Sequence, residues 1–509
     1  MLDDVRWGLP LAAMALVACG GEDDVTPTGA GGGGTGGTTT SSSSGGGATG
    51  GGGGGSATLE VTLPPSGAEL LWSAAMRVAT PDGTSAVVVT DEATGASCEG
   101  AAPHFECLLD LAAADPGAVA LTVAALDEGG TELSSVSHDL VKREVPTPCT
   151  GDGAALSSCI LDLVTIAQAA GFVGISYLNA DNTHANVNTS TMTGIDHQVL
   201  DEPPATVPDG VRMGIVNESR SWNPTGGWCS MPRCHSMARR DRAMDLYAEN
   251  LFMFWPEHRD HGLRDFYMWQ APFFALSQGS SGSELDEVSK LLRALAIMSP
   301  EARDAAEQAG LLGPVMALLL VRSRVESDVA YATAEAFPTA LANLDNAESL
   351  LAMAAALRAE ELPPLAQLTS HDATFPSEWG TMPPMLDAPY AIGYAPSTDD
   401  GPHSGSFTID VDLGATTDTN GRTVLMFPVV LRGDDSVVVE RLDPAGLTWR
   451  LRGDYPEDRM LLTNGIERTV ARTTVAFFPH NGMWMGAPVM VSVGGHPAEA
   501  TAPNDNNAD

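Results

Sequence analysis

Two stretches of the chain alternate apolar and polar positions, and the stretch between them repeats at helical spacing. The first opens with Leu59-Glu-Val-Thr-Leu63 and continues through the β-branched run Ala86-Val-Val-Val-Thr90. Phe105 to Leu111 and Val119 to Leu126 read as further strands, with turns at Pro81-Asp-Gly83 and Glu128-Gly-Gly130. About six short strands at this spacing predict a small sandwich over residues 57–142. The second alternating stretch is Phe407-Thr-Ile-Asp-Val-Asp-Leu413, followed by a turn at Asp418-Thr-Asn-Gly421 and an apolar strand from Thr423 to Leu431. It predicts another sandwich over residues 404–495, with a disordered tail at 496–509.

Between them, residues 143–235 read as an irregular connecting region with one short apolar helix, Leu156 to Ala169. The polar run Asn179-Ala-Asp-Asn-Thr-His184 offers oxygens to calcium, but it has no EF-hand spacing, and a surface loop is the simpler reading. From Ser236 the period turns helical. Glu284 to Leu295 recurs at three and four, and Ser299-Pro300-Glu301 is a helix start: a capping hydroxyl, proline in the first turn and an acid against the dipole. Gly310 and Gly313 punctuate, and Asn343 to Arg358 forms a further helix. The expected fold is therefore a multi-domain α+β protein. Its helix-rich central domain spans residues 236–403 and includes a Pro-rich connector, Pro363 to Pro402.

The N-terminus changes the picture from a fold to a place. Trp7 to Val17 is mostly apolar, too short to span a bilayer and suited to a signal segment. It runs into Leu16-Val17-Ala18-Cys19, which resembles the lipobox of bacterial lipoproteins. The resemblance implies a signal peptide over residues 1–19, a lipid on Cys19 and attachment to a membrane of the cell envelope. Gly20 after the cysteine points to the outer membrane, on its periplasmic side or surface-exposed. Residues 20–56 are nearly all Gly, Ser, Thr and Ala after an acidic patch, so they cannot bury a core and read as a disordered tether. Such a coil has an r.m.s. span of about 35 Å.

Further resemblances bear on the two sandwiches. Asp115 to Val141 resembles the closing strands of bacterial Ig-like repeats. The run from Asp418 to Asp434 is similar to polycystic-kidney-disease-type and cadherin-like modules, with Phe427 where such modules usually carry Trp. These imply an Ig-like N-terminal sandwich and an Ig/PKD-like C-terminal one.

The formal charge is −39, from 65 acidic against 26 basic side chains. That balance repels phosphate backbones and excludes nucleic acid as a partner. The lysines are Lys142 and Lys290 alone, and neither lies in a P-loop. Setting Cys19 aside leaves Cys98, Cys107, Cys149, Cys159, Cys229 and Cys234, an even number in an exported chain. Proximity pairs them 98–107, 149–159 and 229–234 as disulfides, the first stapling a hairpin.

Candidate chemistry concentrates between Phe252 and Ser283. Trp255, Tyr267 and Trp269 beside Gln270 make a stacking platform with a hydrogen-bonding partner for a sugar, or else the aromatic core of the central domain. His258 and His261 with Cys229 and Cys234 fit a zinc tetrahedron, but export favours a disulfide, so no metal and no cofactor is expected. Ser277 with a histidine such as His258 or His371 suggests a hydrolase, although no nucleophile-elbow motif is present. The stretch Tyr267-Met-Trp-Gln-Ala-Pro-Phe-Phe-Ala-Leu-Ser-Gln-Gly-Ser-Ser-Gly-Ser283 resembles one shared by uncharacterised exported bacterial proteins, a likeness covering residues 250–495 and implying no activity. The expected role is binding or structural, toward carbohydrate or another envelope component. The alternative is a hydrolase on a polymeric substrate, with its site near residues 255–283. Oligomeric state is not legible.

Overall fold

The computed structural model describes residues 58–145, 149, 153–172, 174–179, 195–199, 213–217, 251–254, 274–275, 285–322, 327–332, 347–379, 384–388, 390–394, 405–433, 436–455, 459–463, 466–470 and 472–494. The chain is a mixed α/β protein built mostly of sheets.

The N-terminal strands are β1 (Glu60–Leu63), β2 (Glu69–Leu70), β3 (Ser73–Ala79), β4 (Ala86–Asp91), β5 (Ser97–Ala101), β6 (Glu106–Asp110), β7 (Gly117–Leu126) and β8 (Glu132–Lys142). They form two sheets, β1-β3-β6 and β2-β8-β7-β4-β5, antiparallel except where β2 runs parallel to β8. The alternation read from sequence is the reason. Val87 and Val89 of β4 and Val119, Leu121, Val123 and Ala125 of β7 turn into a shared core with Met76, Leu109 and Leu140. Cys98 and Cys107 are bonded, yet they do not staple a hairpin. β5 pairs with β4 and β6 pairs with β3, so the bridge joins one sheet to the other. The change of sheet needs a close approach at Gly100, where a Cβ would stand 2.8 Å from the Glu106 nitrogen.

The middle of the chain departs furthest from expectation. After α1 (Gly153–Ala169) come β9 (Ile175–Asn179), β10 (Ile195–Val199), β11 (Met213–Asn217), β12 (Leu251–Phe254) and β13 (Phe274–Ala275). All pair in parallel, in the order β10-β9-β11-β12-β13. Numbered by appearance, this is 2-1-3-4-5, a doubly wound order. The span read as irregular connector and the start of the helix-rich region thus share one sheet. The helices that follow are α2 (Leu285–Ile297), α3 (Pro300–Gln308), α4 (Leu312–Arg322), α5 (Asp328–Tyr331) and α6 (Ala347–Ala356). The α3 start is as expected: Ser299 Oγ accepts the Ala302 amide at 3.1 Å, with Pro300 in the first turn. α2 packs against α1, α4 and α6, and α4 lies on β12 and β13. Phe172, Ile175, Met213, Leu291, Leu295, Leu319 and Leu357 share the resulting core. Cys149–Cys159 ties the approach to α1 onto that helix.

The C-terminal strands are β14 (Ser370–Thr374), β15 (Pro384–Ala388), β16 (Ala391–Tyr394), β17 (Ser406–Asp412), β18 (Leu425–Arg432), β19 (Val438–Arg441), β20 (Thr448–Asp454), β21 (Arg459–Thr463), β22 (Ile466–Val470), β23 (Arg472–His480) and β24 (Val489–Gly494). One sheet is β14-β17-β20-β19; the other is β15-β16-β24-β23-β18, with β16 parallel to β24; β21 and β22 pair separately. The Pro-rich span is therefore more than a connector, because β14, β15 and β16 lie within it. Phe407, Ile409 and Val411 face Trp379, Trp449, Phe477 and Val491 in the core. No helix among the described residues is long and apolar enough to cross a membrane.

Candidate functional site at the carboxyl edge of the parallel sheet

Five parallel strands end in one row. Val199 pairs with Asn179, Asn179 with Asn217, Asn217 with Phe254, and Phe254 with Ala275. The chain moves outward in opposite directions from β9, first to β10 and later to β11, so the order reverses between β9 and β11. In open α/β sheets ligands bind outside the carboxyl ends at such a reversal, because the connections leaving the two strands diverge there and open a crevice. Asn179 and Asn217 are paired across that point.

The sequence connects this row to the candidate residues. Trp255 directly follows Phe254 in the chain, with His258 and His261 beyond it, and Ser277 is the second residue after Ala275. Trp255, His258, His261, Tyr267, Trp269, Gln270 and Ser277 themselves lie outside the described residues, as do Cys19, Cys229 and Cys234. His371 is described and sits on β14 in the C-terminal sandwich, where its Nδ1 is 2.7 Å from the Tyr394 hydroxyl.

A second cluster of chemically capable side chains was not legible in sequence. Ser73 on β3, Asp328 on α5 and His480 on β23 meet in the interior, none more than 3% exposed. Ser73 Oγ donates to Asp328 Oδ2 at 2.5 Å and lies 2.8 Å from His480 Nε2. Arg322, the last residue of α4, donates from Nε to Asp328 Oδ1 at 2.7 Å. The residue types are those of a hydrolase triad, but the order is wrong. A triad places histidine between the nucleophile and the acid, whereas here serine stands between them and its proton is committed to the carboxylate. Burial holds the His480 imidazole down at about 4, only partly offset by the Asp328 charge. The cluster is a structural node.

Neighbouring contacts confirm that reading. Trp72 meets Trp484 edge to face with centroids 5.1 Å apart, and the Arg322 guanidinium lies 5.7 Å from the Trp72 ring centre. Arg143 pairs with Glu361 in the interior and also donates to the Ala356 carbonyl at 2.7 Å. Glu106 of β6 takes Arg77 at 2.7 Å and Arg441 at 3.0 Å, the latter from the end of β19. Both sandwiches are thus bonded to the helical core and to each other.

No family model matches the chain, and no curated protein matches it. Among solved structures it is similar to a Bacteroides ovatus GH5 xyloglucanase in complex with a XXXG heptasaccharide, at 14% identity and a TM-score of 0.14. The match covers 56% of this chain and 62% of that one. At that score it carries no argument about fold or activity.

Lys142 also has a purely structural place. Its Nζ donates to the carbonyls of Leu111 at 2.6 Å, Ala112 at 2.9 Å and Ala114, closing the turn after β6. Burial lowers its ammonium below the usual range, with Asp110, Asp115 and Asp91 opposing.

Proposed function

We propose that this is a lipid-anchored protein of the cell envelope, in which two immunoglobulin-like modules flank an α/β unit that binds a polymeric envelope ligand, carbohydrate in character. The anchor is Cys19 of Leu16-Val17-Ala18-Cys19, residues 20–56 are the tether, and the outer membrane is the site of attachment. The strand orders support the modules. In both sandwiches consecutive strands cross between sheets, and an early strand joins the last one in parallel: β2 on β8, and β16 on β24.

The observation that carries the ligand site is the aligned row at the carboxyl edge, with two asparagines at its reversal and the Trp255 segment continuing from β12. Trp255, Tyr267, Trp269 and Gln270 supply stacking faces and an amide, the chemistry that sugars require. The test is a glycan array probed with residues 57–509, followed by Trp255→Ala. Binding lost in the variant supports the site. Failure to bind any glycan removes the carbohydrate assignment.

A hydrolase is the second reading, favoured by the exit of β13 two residues before Ser277 and of β12 four residues before His258. It requires fragments released from a bound polymer and no release by Ser277→Ala. Binding without release by the parent chain decides for the binding role.

A further inference from the structure

The geometry points to an acid-operated latch: Ser73, Asp328 and His480 fix the two β modules to the helical core, and release them when His480 takes up a second ring proton. The protons of the node can be assigned one by one. His480 Nδ1 accepts the Gly482 amide at 2.9 Å, so that nitrogen carries no hydrogen. The ring proton is then on Nε2 and donates to Ser73 Oγ at 2.8 Å, while the serine hydroxyl donates onward to Asp328 at 2.5 Å. A further proton can enter only at Nδ1, where the Gly482 N–H already points. Two hydrogens then face each other, and the turn after His480 must open.

That turn holds much of the junction. Asn481 Oδ1 accepts the Met483 amide at 3.1 Å and the Trp484 amide at 2.8 Å. Asn481 Nδ2 donates to the Leu362 carbonyl at 3.0 Å and to Asp418 at 2.6 Å. Opening it withdraws Trp484 from Trp72 and Asn481 from the chain that leads out of the helices.

Each charged or titratable group on the elements packed here has its own partner or burial. Asp328 is engaged by Arg322 and Ser73, and Asp418 binds Asn481 and the Asn420 and Arg422 amides. Tyr331, buried against Phe478, is pushed up by burial and stays neutral. On β3 and β6, Arg77 and Glu106 pair with each other, and Asp110 accepts the Ala112 amide. The buried imidazole is held down to about 4 from 6.5, so the proton arrives only in acid. As pH falls through that window the opened form, whose ring reaches solvent, gains the proton first and grows at the expense of the closed one.

The test is hydrogen exchange of the full chain, corrected for the pH dependence of intrinsic exchange, between pH 6.5 and about 4. Protection of the 480–484 segment and of Trp72 and Ser73 is expected to fall together, on the order of a hundredfold. The sandwich cores at Val87–Val89 and Phe407–Val411 are expected to stay protected. In His480→Gln, protection of the junction is expected not to change with pH. Unchanged protection in the parent chain, simultaneous loss in the sandwich cores, or an equal pH response in His480→Gln would each overturn the latch. Should that variant not fold, imidazole ¹⁵N NMR of the parent decides: the Nε2–H tautomer is required, and the Nδ1–H tautomer excludes the mechanism.

Discussion

At the scale of single residues, buried polar groups account for more than their number suggests. Asp328 accepts from Ser73 and Arg322 while almost wholly buried, so Asp328→Ala removes the carboxylate side of a buried ion pair. Breaking a buried pair from one side costs about 3–5 kcal/mol, an effect visible as a lower midpoint in urea denaturation. His480 gives a pH dependence of definite sign. Its pKa is about 4 in the folded chain, against the ordinary 6.5 of an imidazole in the unfolded one. The unfolded state therefore binds the proton first as pH falls. Stability is full above 6.5 and declines by roughly 3 kcal/mol on the way to about 4. Urea titrations of the parent and His480→Gln across that range should diverge by this amount. Gly100 and Gly486 are constrained by space: a Cβ on Gly486 would stand 2.1 Å from the Pro364 carbonyl oxygen. Gly486→Ala must displace backbone, and a loss of about 1–3 kcal/mol is expected in the same assay.

At the scale of elements, local signals and long-range pairings separate cleanly. Ser299-Pro300-Glu301 marks the start of α3 because its capping bonds lie within one turn. Ser299→Ala should cost about 1 kcal/mol. The alternation in β4, β7 and β17 is equally local, since each strand shows one face to a core and one outward. The parallel sheet left no such trace. Its strands are two to five residues long, too short for Ile175-Ser-Tyr-Leu or Leu251-Phe-Met-Phe to show a sustained period. Long spans of other sequence separate them. Cys98–Cys107 shows the same limit: sequence proximity found the pair, but only strand pairing shows that it crosses the sandwich. Closing a loop of nine residues, it should contribute about 2–3 kcal/mol, lost in the double Cys98→Ala, Cys107→Ala variant.

At the scale of the whole molecule, the proposed anchor and the folded body make separate predictions. Cys19→Ser should move the protein from the membrane fraction to the soluble fraction, because stable attachment needs the acyl chains that only the cysteine accepts. Recovery of the variant with membranes would defeat the lipoprotein assignment. The body is a joined assembly in place of independent beads: Leu71, Met483 and Trp484 from the sandwiches share a core with the helices. The candidate residues between 255 and 277 were legible as a dense aromatic and polar stretch. That β12, which leads into this stretch, ends at the carboxyl edge of a parallel sheet was not, because a sheet edge is defined by strands far apart in the chain.

What the sequence determined by itself was whatever depends on neighbours within a turn or a strand: the alternating runs, the capped helix, and the close pairs Cys98–Cys107 and Cys149–Cys159. The expectations of a lipid anchor and a tether belong to the same local class. Tertiary structure alone decided the 2-1-3-4-5 order, the row from Val199 to Ala275, the place of the Pro-rich span in both C-terminal sheets, and the meeting of Ser73, Asp328 and His480. The physical reason is distance along the chain. Ser73 and His480 are 407 residues apart, and no periodicity records a bond that forms only after both have been buried.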